Sequence, residues 1–285
     1  MSKLREKMVD VMQLCGLSQG TQQIYLKAVE RLALHYMRSP DEITPEEVQA
    51  FLVSLLEKEK LSHSTQNCIV AGLRLFYQRV LLRPDVEPWI PRRRSPQRLP
   101  EILSIDEVGR LLATVTNPKH RALLMTMYSA GLRSSEALRL QLSDIDSSRM
   151  VIRIRRGKGD KDRYTILTQA LLRELRAYWK LERPPEWLFP GASLTRPLNR
   201  KSVWEAFTNA KKQAGITKNG GVHSLRHCFA THLIEQGVSI RTVQALLGHS
   251  CTRSTSRYIR MARTEISEKH SLLAQVMGPQ KSASE

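Results

Sequence analysis

The chain has 285 residues, with 45 Lys+Arg against 27 Asp+Glu and a formal net charge of +18. That length accommodates two domains, and a positive excess of this size points to a polyanionic partner. No apolar run of about 18 residues is present for a membrane span, no leader-like segment opens the chain, and Cys15, Cys68, Cys228 and Cys251 show no close pairing. Membrane proteins and disulfide scaffolds are therefore excluded, and a reducing cytoplasm is the expected setting.

The charge is unevenly spread. Residues 1–88 hold 11 basic and 11 acidic side chains, residues 89–100 add four arginines without an acid, and +14 remains for residues 101–285. Along the first part, Leu17 to Met37 repeats apolar residues with helical period behind a Ser18 cap, and Thr44-Pro45-Glu46-Glu47 is a capping box that opens a helix through Val48, Phe51, Leu52 and Leu55. Ser62 caps a further helix from His63 to Leu82. Three or four helices thus make a small helical domain over residues 1–87. Pro88 to Pro100, with four prolines and four arginines, reads as an extended basic linker in which Arg92, Arg93 and Arg94 are candidates for phosphate contact.

Beyond the linker, Ser104 and Glu107 cap a helix to Val115, and His120 to Ala130 is a mostly apolar helix ended by Gly131. Met150 to Arg156 and Arg163 to Leu167 alternate around a turn at residues 157–161, which predicts a β-hairpin with Lys158 near its tip. Helices follow at Thr168 to Leu181 and Arg200 to Ala214. A stretch at Glu265 to Met277 carries Ile266, Leu272, Leu273 and Val276 on a helical period, and a polar tail, expected to be disordered, occupies residues 278–285.

The chemistry concentrates between His223 and Tyr258. His223, Arg226 and His227 stand at i, i+3 and i+4, so a helix starting near Ser224 presents His223 and Arg226 on one face. Gly237 stops that helix. A second one, Ile240 to Leu247, stops at Gly248, and His249 follows on the turn, nine positions before Tyr258. A tyrosine hydroxyl, with a pKa of about 10, attacks only beside a base or at an electrophile whose developing charge is already neutralised. A guanidinium is permanently charged and grips two phosphate oxygens at once, so arginine and histidine ahead of a tyrosine point to transfer at a phosphodiester.

These residues resemble the tyrosine recombinases of the phage-integrase family. The family's His-x-x-Arg box matches His223-Ser224-Leu225-Arg226, its Leu-Gly-His matches Leu247-Gly248-His249, and its nucleophile matches Tyr258. Its first arginine box matches Gly131-Leu132-Arg133-Ser134-Ser135-Glu136, and its hairpin lysine matches Lys158 in Gly157-Lys158-Gly159-Asp160-Lys161. Four motifs in the right order over half the chain are a specific signal where any one alone is weak. Integrases of mobile elements and integrons look most similar.

The resemblance implies a mainly α fold with a small β-hairpin sheet (α+β), an N-terminal SAM-like core-binding domain and a catalytic domain over residues 101–277, together a C-shaped clamp on double-stranded DNA. It implies a site-specific recombinase that cuts and rejoins through a 3′-phosphotyrosine and a Holliday junction, with no cofactor, ATP or metal. Arg133, Lys158, His223, Arg226, His249 and Tyr258 would be catalytic, Glu136 would orient one of them, and a homotetramer would act on synapsed sites with accessory DNA-bending proteins, in the cytoplasm at the nucleoid.

Plainer readings exist for several of these residues. Arg133 and Glu136 at i, i+3 would by themselves be a structural ion pair, and Lys158 a solvated hairpin lysine. The cluster of His223, His227, Cys228, His232, His249 and Cys251 invites zinc, but no His-Glu-x-x-His pattern is present and Arg226 occupies the same face. His227 and His232 are taken as helix packing. By position alone, Thr65, Gln66, Asn67 and the helix that starts with Arg200 and Lys201 are candidates for reaching into a DNA groove. A type IB topoisomerase would share the phosphotyrosine chemistry without exchanging strands, and a regulator would bind without cutting. The Glu265 to Met277 stretch could dock on a neighbouring protomer or on its own domain.

Overall fold

A computed structural model describes residues 3–57, 59–83, 89–91, 99–155, 162–248 and 258. The chain forms two compact units, Met1–Arg98 and Leu99–Glu285, each with its own core. In the first, the helices are α1 (Lys3–Leu14), α2 (Gln19–Tyr36), α3 (Pro45–Glu57) and α4 (His63–Leu75), and the last three begin where caps take up N–H groups that a helix start leaves unpaired. Ser18 and Ser62 accept from Thr21 and Thr65, and Thr44 and Glu47 exchange bonds of 2.9 and 3.3 Å across the start of α3.

The long helix read from His63 onward ends as a π-helical turn, Phe76–Val80, which turns Phe76, Tyr77 and Val80 into the core. Two readings change here. Trp89 and Ile90, taken as linker, pack on this unit: Ile90 is fully buried, its carbonyl accepts from Arg74 Nε at 2.7 Å, and Trp89 meets Tyr77 edge-on. Gln66, a candidate groove reader, is 5% exposed and faces inward, whereas Thr65 is exposed.

The second unit is built around α6 (Pro118–Ser129), whose Ala122, Leu123, Leu124, Thr126 and Met127 are all buried. It packs against α5 (Ile105–Ala113), α7 (Ser134–Leu138), α8 (Gln169–Glu182), α9 (Arg200–Gln213) and α10 (Ser224–Glu235). From Ala122 to Ser129 no residue of this helix is exposed, and a stretch enclosed on all sides has no polar face, which is why the sequence there shows little amphipathic period. Beside it lies an antiparallel sheet of β1 (Ile145–Asp146), β2 (Val151–Ile154) and β3 (Arg163–Ile166), with Ile154 opposite Arg163 and Ile152 opposite Thr165. The expected hairpin is β2–β3. The additional strand β1 is two residues long, too short to register as an alternation.

Helix α11 (Ile240–Leu247) follows α10 and packs on both it and β3. The three share a smaller cluster of Phe229, Ala230, Val243, Leu247 and Tyr258, with Ile166 at its edge. This is the arrangement that brings Arg133, Glu136, Arg163, Arg226 and Tyr258 to one place.

Candidate active site

Helix α6 ends at Ala130, and Gly131 turns the chain with φ +63°. Glycine is required twice over at this point. The left-handed conformation disfavours a side chain, and a Cβ would stand 2.4 Å from Cδ1 of Phe229 in α10. The turn leaves Arg133 as the residue before α7, where the Glu136 carboxylate reaches back to the Arg133 backbone N–H at 2.8 Å and to Arg133 Nη1 at 2.5 Å. The i, i+3 ion pair of the plainer reading is therefore present, and it is one part of a larger assembly.

Arg226, in the first turn of α10, is 1% exposed. Nη1 donates to the Gly131 carbonyl at 2.6 Å and to Glu136 Oε2 at 3.5 Å, and Nη2 donates to the Leu247 carbonyl at 2.6 Å. A guanidinium this deeply buried survives only with such partners. Burial, then the nearby Arg133 charge, lower its pKa to about 10, against the favourable field of Glu136, so it stays a cation at neutral pH.

The third arginine is Arg163, at the start of β3. It grips Glu136 as a fork, Nη1 to Oε1 at 2.9 Å and Nη2 to Oε2 at 2.8 Å, while its Nε donates to the Leu246 carbonyl at 3.2 Å. Gly248 makes room for it: a Cβ there would lie 2.5 Å from Arg163 Cδ. Burial by itself would raise the Glu136 pKa, but the bonds and charge of Arg163, then of Arg133, outweigh it and hold the carboxyl at about 2. One carboxylate among three guanidinium groups leaves a formal +2, a centre suited to an oxyanion.

Tyr258 is 2% exposed against Phe229, Val243 and Leu247. Its hydroxyl lies 3.1 Å from His227 Nδ1, and the His227 ring meets His223 edge-on with centroids 4.7 Å apart. His223 itself is exposed at the start of α10, where its carbonyl accepts from the Arg226 and His227 N–H groups.

Comparison with known proteins gives the family to which the chain belongs. Residues 101–265 match the model of the phage integrase family, and residues 4–85 match the phage integrase N-terminal SAM-like domain. The chain belongs to the phage integrase family. It is a tyrosine recombinase, an enzyme of DNA strand transfer, and its mainly helical fold with a small sheet is the one the motifs imply.

Among relatives of this recombinase, a Sinorhizobium fredii (strain NGR234) protein named putative integrase/recombinase y4qK is 42% identical over 267 residues, 93% of this chain and 87% of that one. Tyrosine recombinase XerA of Thermococcus kodakarensis is 33% identical over 271 residues, 92% of this chain and 93% of its own. A crystal structure of XerH site-specific recombinase bound to palindromic difH substrate, in a post-cleavage complex, aligns with a TM-score of 0.68 at 23% identity, over 89% of this chain and 79% of that one.

Of the residues expected to act in this recombinase, Arg133, Glu136 and Arg226 meet directly, and Tyr258 and His223 lie on the same end of α10. Lys158, His249, Arg92, Arg93, Arg94 and the Glu265 to Met277 stretch lie outside the described residues. Lys201 stands in the first turn of α9 with its side chain 82% exposed and Glu205 3.7 Å away. Sequence reasoning missed Arg163 and His227. Arg163 shares its strand face with Thr165, which is buried and donates to the Ala130 carbonyl at 2.9 Å, and that period of two was the available signal. His227, read as packing, instead partners the Tyr258 hydroxyl.

His232 does match the packing reading. It is buried between the Tyr128 hydroxyl at 2.9 Å and the Leu103 carbonyl at 2.9 Å. Among the described residues, no three His, Cys, Asp or Glu side chains converge as a metal site requires, and no helix is long and apolar enough to cross a membrane.

Proposed function

We propose that this chain acts at specific sites on double-stranded DNA, and that Tyr258 attacks the scissile phosphate to leave a 3′-phosphotyrosine and a free 5′-hydroxyl. The observation that supports this most is the sharing of one buried carboxylate by Arg133 and Arg226, 93 positions apart in the chain, beside the pocket that holds the Tyr258 ring. A phosphodiester gains negative charge as the tyrosine oxygen adds, and fixed guanidinium groups stabilise that charge without reorganising. Arg133 and Arg226 hold the non-bridging oxygens. His223 positions the phosphate and assists proton transfer, Lys158 protonates the leaving 5′ oxygen, and His249 donates a hydrogen bond to the phosphate.

The phosphotyrosine keeps the energy of the broken bond, so a second 5′-hydroxyl can reverse the step on another duplex. Neither ATP nor a metal is then needed, and two such exchanges pass through a Holliday junction. A homotetramer on two synapsed sites, assisted by DNA-bending proteins, is the assembly this requires, and a mobile genetic element is the setting that the integrase relatives suggest. XerH site-specific recombinase, which shares this fold, has been solved bound to its own difH substrate in a post-cleavage complex, and DNA is the partner proposed for this chain.

The test is to incubate wild-type protein and Tyr258→Phe with fragmented DNA of the source organism, recover covalent complexes under denaturing conditions, and sequence the attached DNA. Adducts at a recurring site that vanish in Tyr258→Phe, with binding unchanged, are the expected result. Adducts that persist would move the nucleophile elsewhere. Joined products from two duplexes separate recombination from supercoil relaxation by a topoisomerase.

A further inference from the structure

Arg163 has no place in the reaction scheme above, yet it holds the carboxylate on which Arg133 and Arg226 both rest. Its fork takes both Glu136 oxygens, and its Nε takes the Leu246 carbonyl, one residue before the Leu247 carbonyl that Arg226 takes. Arg163 and Arg226 therefore sit side by side on the last carbonyls of α11, where a cation is favoured by the helix dipole. All three nitrogens of the Arg163 guanidinium are engaged by protein, and the side chain is 11% exposed, so it does not itself reach a phosphate.

The charge balance shows what it contributes. Arg133, Arg163 and Arg226 against Glu136 carry a formal +2. A phosphodiester is a monoanion, and the pentacoordinate species formed when tyrosine oxygen adds, before the P–O5′ bond breaks, is formally a dianion. Without Arg163 the Glu136 charge would fall on the other two arginines alone, and the cluster would offer +1 to that dianion.

We propose that Arg163 is a positioning residue for strand transfer, neutralising Glu136 so that Arg133 and Arg226 present their charge to the scissile phosphate. The inference rests on the reading that those two arginines hold that phosphate. It also explains why Gly248 tolerates no side chain, since the space a Cβ would fill is occupied by the Arg163 stem. Lysine cannot replace the fork, because one ammonium cannot span two carboxylate oxygens and a helix carbonyl with the same geometry.

The experiment follows covalent adduct formation over time on fragmented source-organism DNA, with thermal melting and DNA binding measured on every variant. Arg163→Gln is expected to slow adduct formation about 100-fold with little change in DNA binding. Adding Glu136→Gln to that variant removes the uncompensated charge and restores +2, and is expected to recover at least about tenfold. A merely structural strap predicts no such recovery.

An Arg163→Gln rate within about threefold of wild type, or a double variant no faster than the single, overturns the proposal. If Arg163→Gln fails to fold, Arg163→Lys takes its place: it keeps the charge, and is expected about tenfold slow, whereas a wild-type rate overturns the proposal. Arg226→Ala run in parallel separates the two levels. Near-normal adduct formation by Arg226→Ala sinks the underlying reading of the phosphate site, and a slow Arg226→Ala beside a normal Arg163→Gln sinks only the role of Arg163.

Discussion

Glu136→Gln is the most informative single change for the stability of this site. The carboxyl is 8% exposed, and its pKa falls from 4.5 to about 2 in the folded chain, mainly because the Arg163 and Arg133 contacts outweigh burial. A folded pKa below the unfolded one means that ionised Glu136 stabilises the fold above pH about 4.5, and that this stabilisation is lost as pH falls toward 2. At about 1.36 kcal/mol per pKa unit, the full contribution at pH 7 is about 3 kcal/mol, of which roughly 2 is gone by pH 3. That agrees with the cost of about 3–5 kcal/mol for removing one partner of a buried ion pair.

Hydrogen exchange is the assay suited to a chain of two units, because it reads the opening of Ser134–Leu138 and Arg163–Ile166 separately from the N-terminal unit. Glu136→Gln should exchange those segments faster by about 3 kcal/mol at pH 7, and the gap to wild type should shrink to about 1 kcal/mol at pH 3. A gap below about 1 kcal/mol at pH 7, or one that does not change with pH, would refute the claim that three arginines converge on an ionised Glu136.

Two further outcomes follow from the same geometry. Gly131→Ala puts a methyl 2.4 Å from the Phe229 ring at a φ of +63°, so it should destabilise the second unit by about 2–4 kcal/mol, seen as a lower melting temperature with reduced adduct yield. A melting temperature equal to wild type would contradict the close approach of α6 and α10. His227→Ala removes the partner 3.1 Å from the Tyr258 hydroxyl and should slow adduct formation about 10²-fold if His227 accepts the nucleophile's proton. A rate within about threefold of wild type would reduce the contact to packing.

Local rules were legible wherever partners are near in sequence. Ser104 with Glu107, Thr44 with Glu47, and Arg133 with Glu136 are all three apart, and each makes the bond that its spacing implies. Glycine stops at Gly131, Gly237 and Gly248 are read correctly because a helix end in the left-handed region has a residue-type signature. Trp89 and Ile90 were misassigned for the opposite reason: two apolar residues among prolines and arginines carry no period, and only the core they enter makes them structural.

The candidate residue types and their order were set by the sequence alone, since boxes of three to six residues carry their own spacing. Their convergence was decided by tertiary structure. Glu136 meets Arg163 across 27 positions, Arg226 meets Gly131 across 95, and Tyr258 meets His227 across 31. No periodicity spans such separations, because a side-chain contact between distant elements depends on how α6, α10, α11 and β3 pack, and that packing follows from the whole core rather than from any one segment.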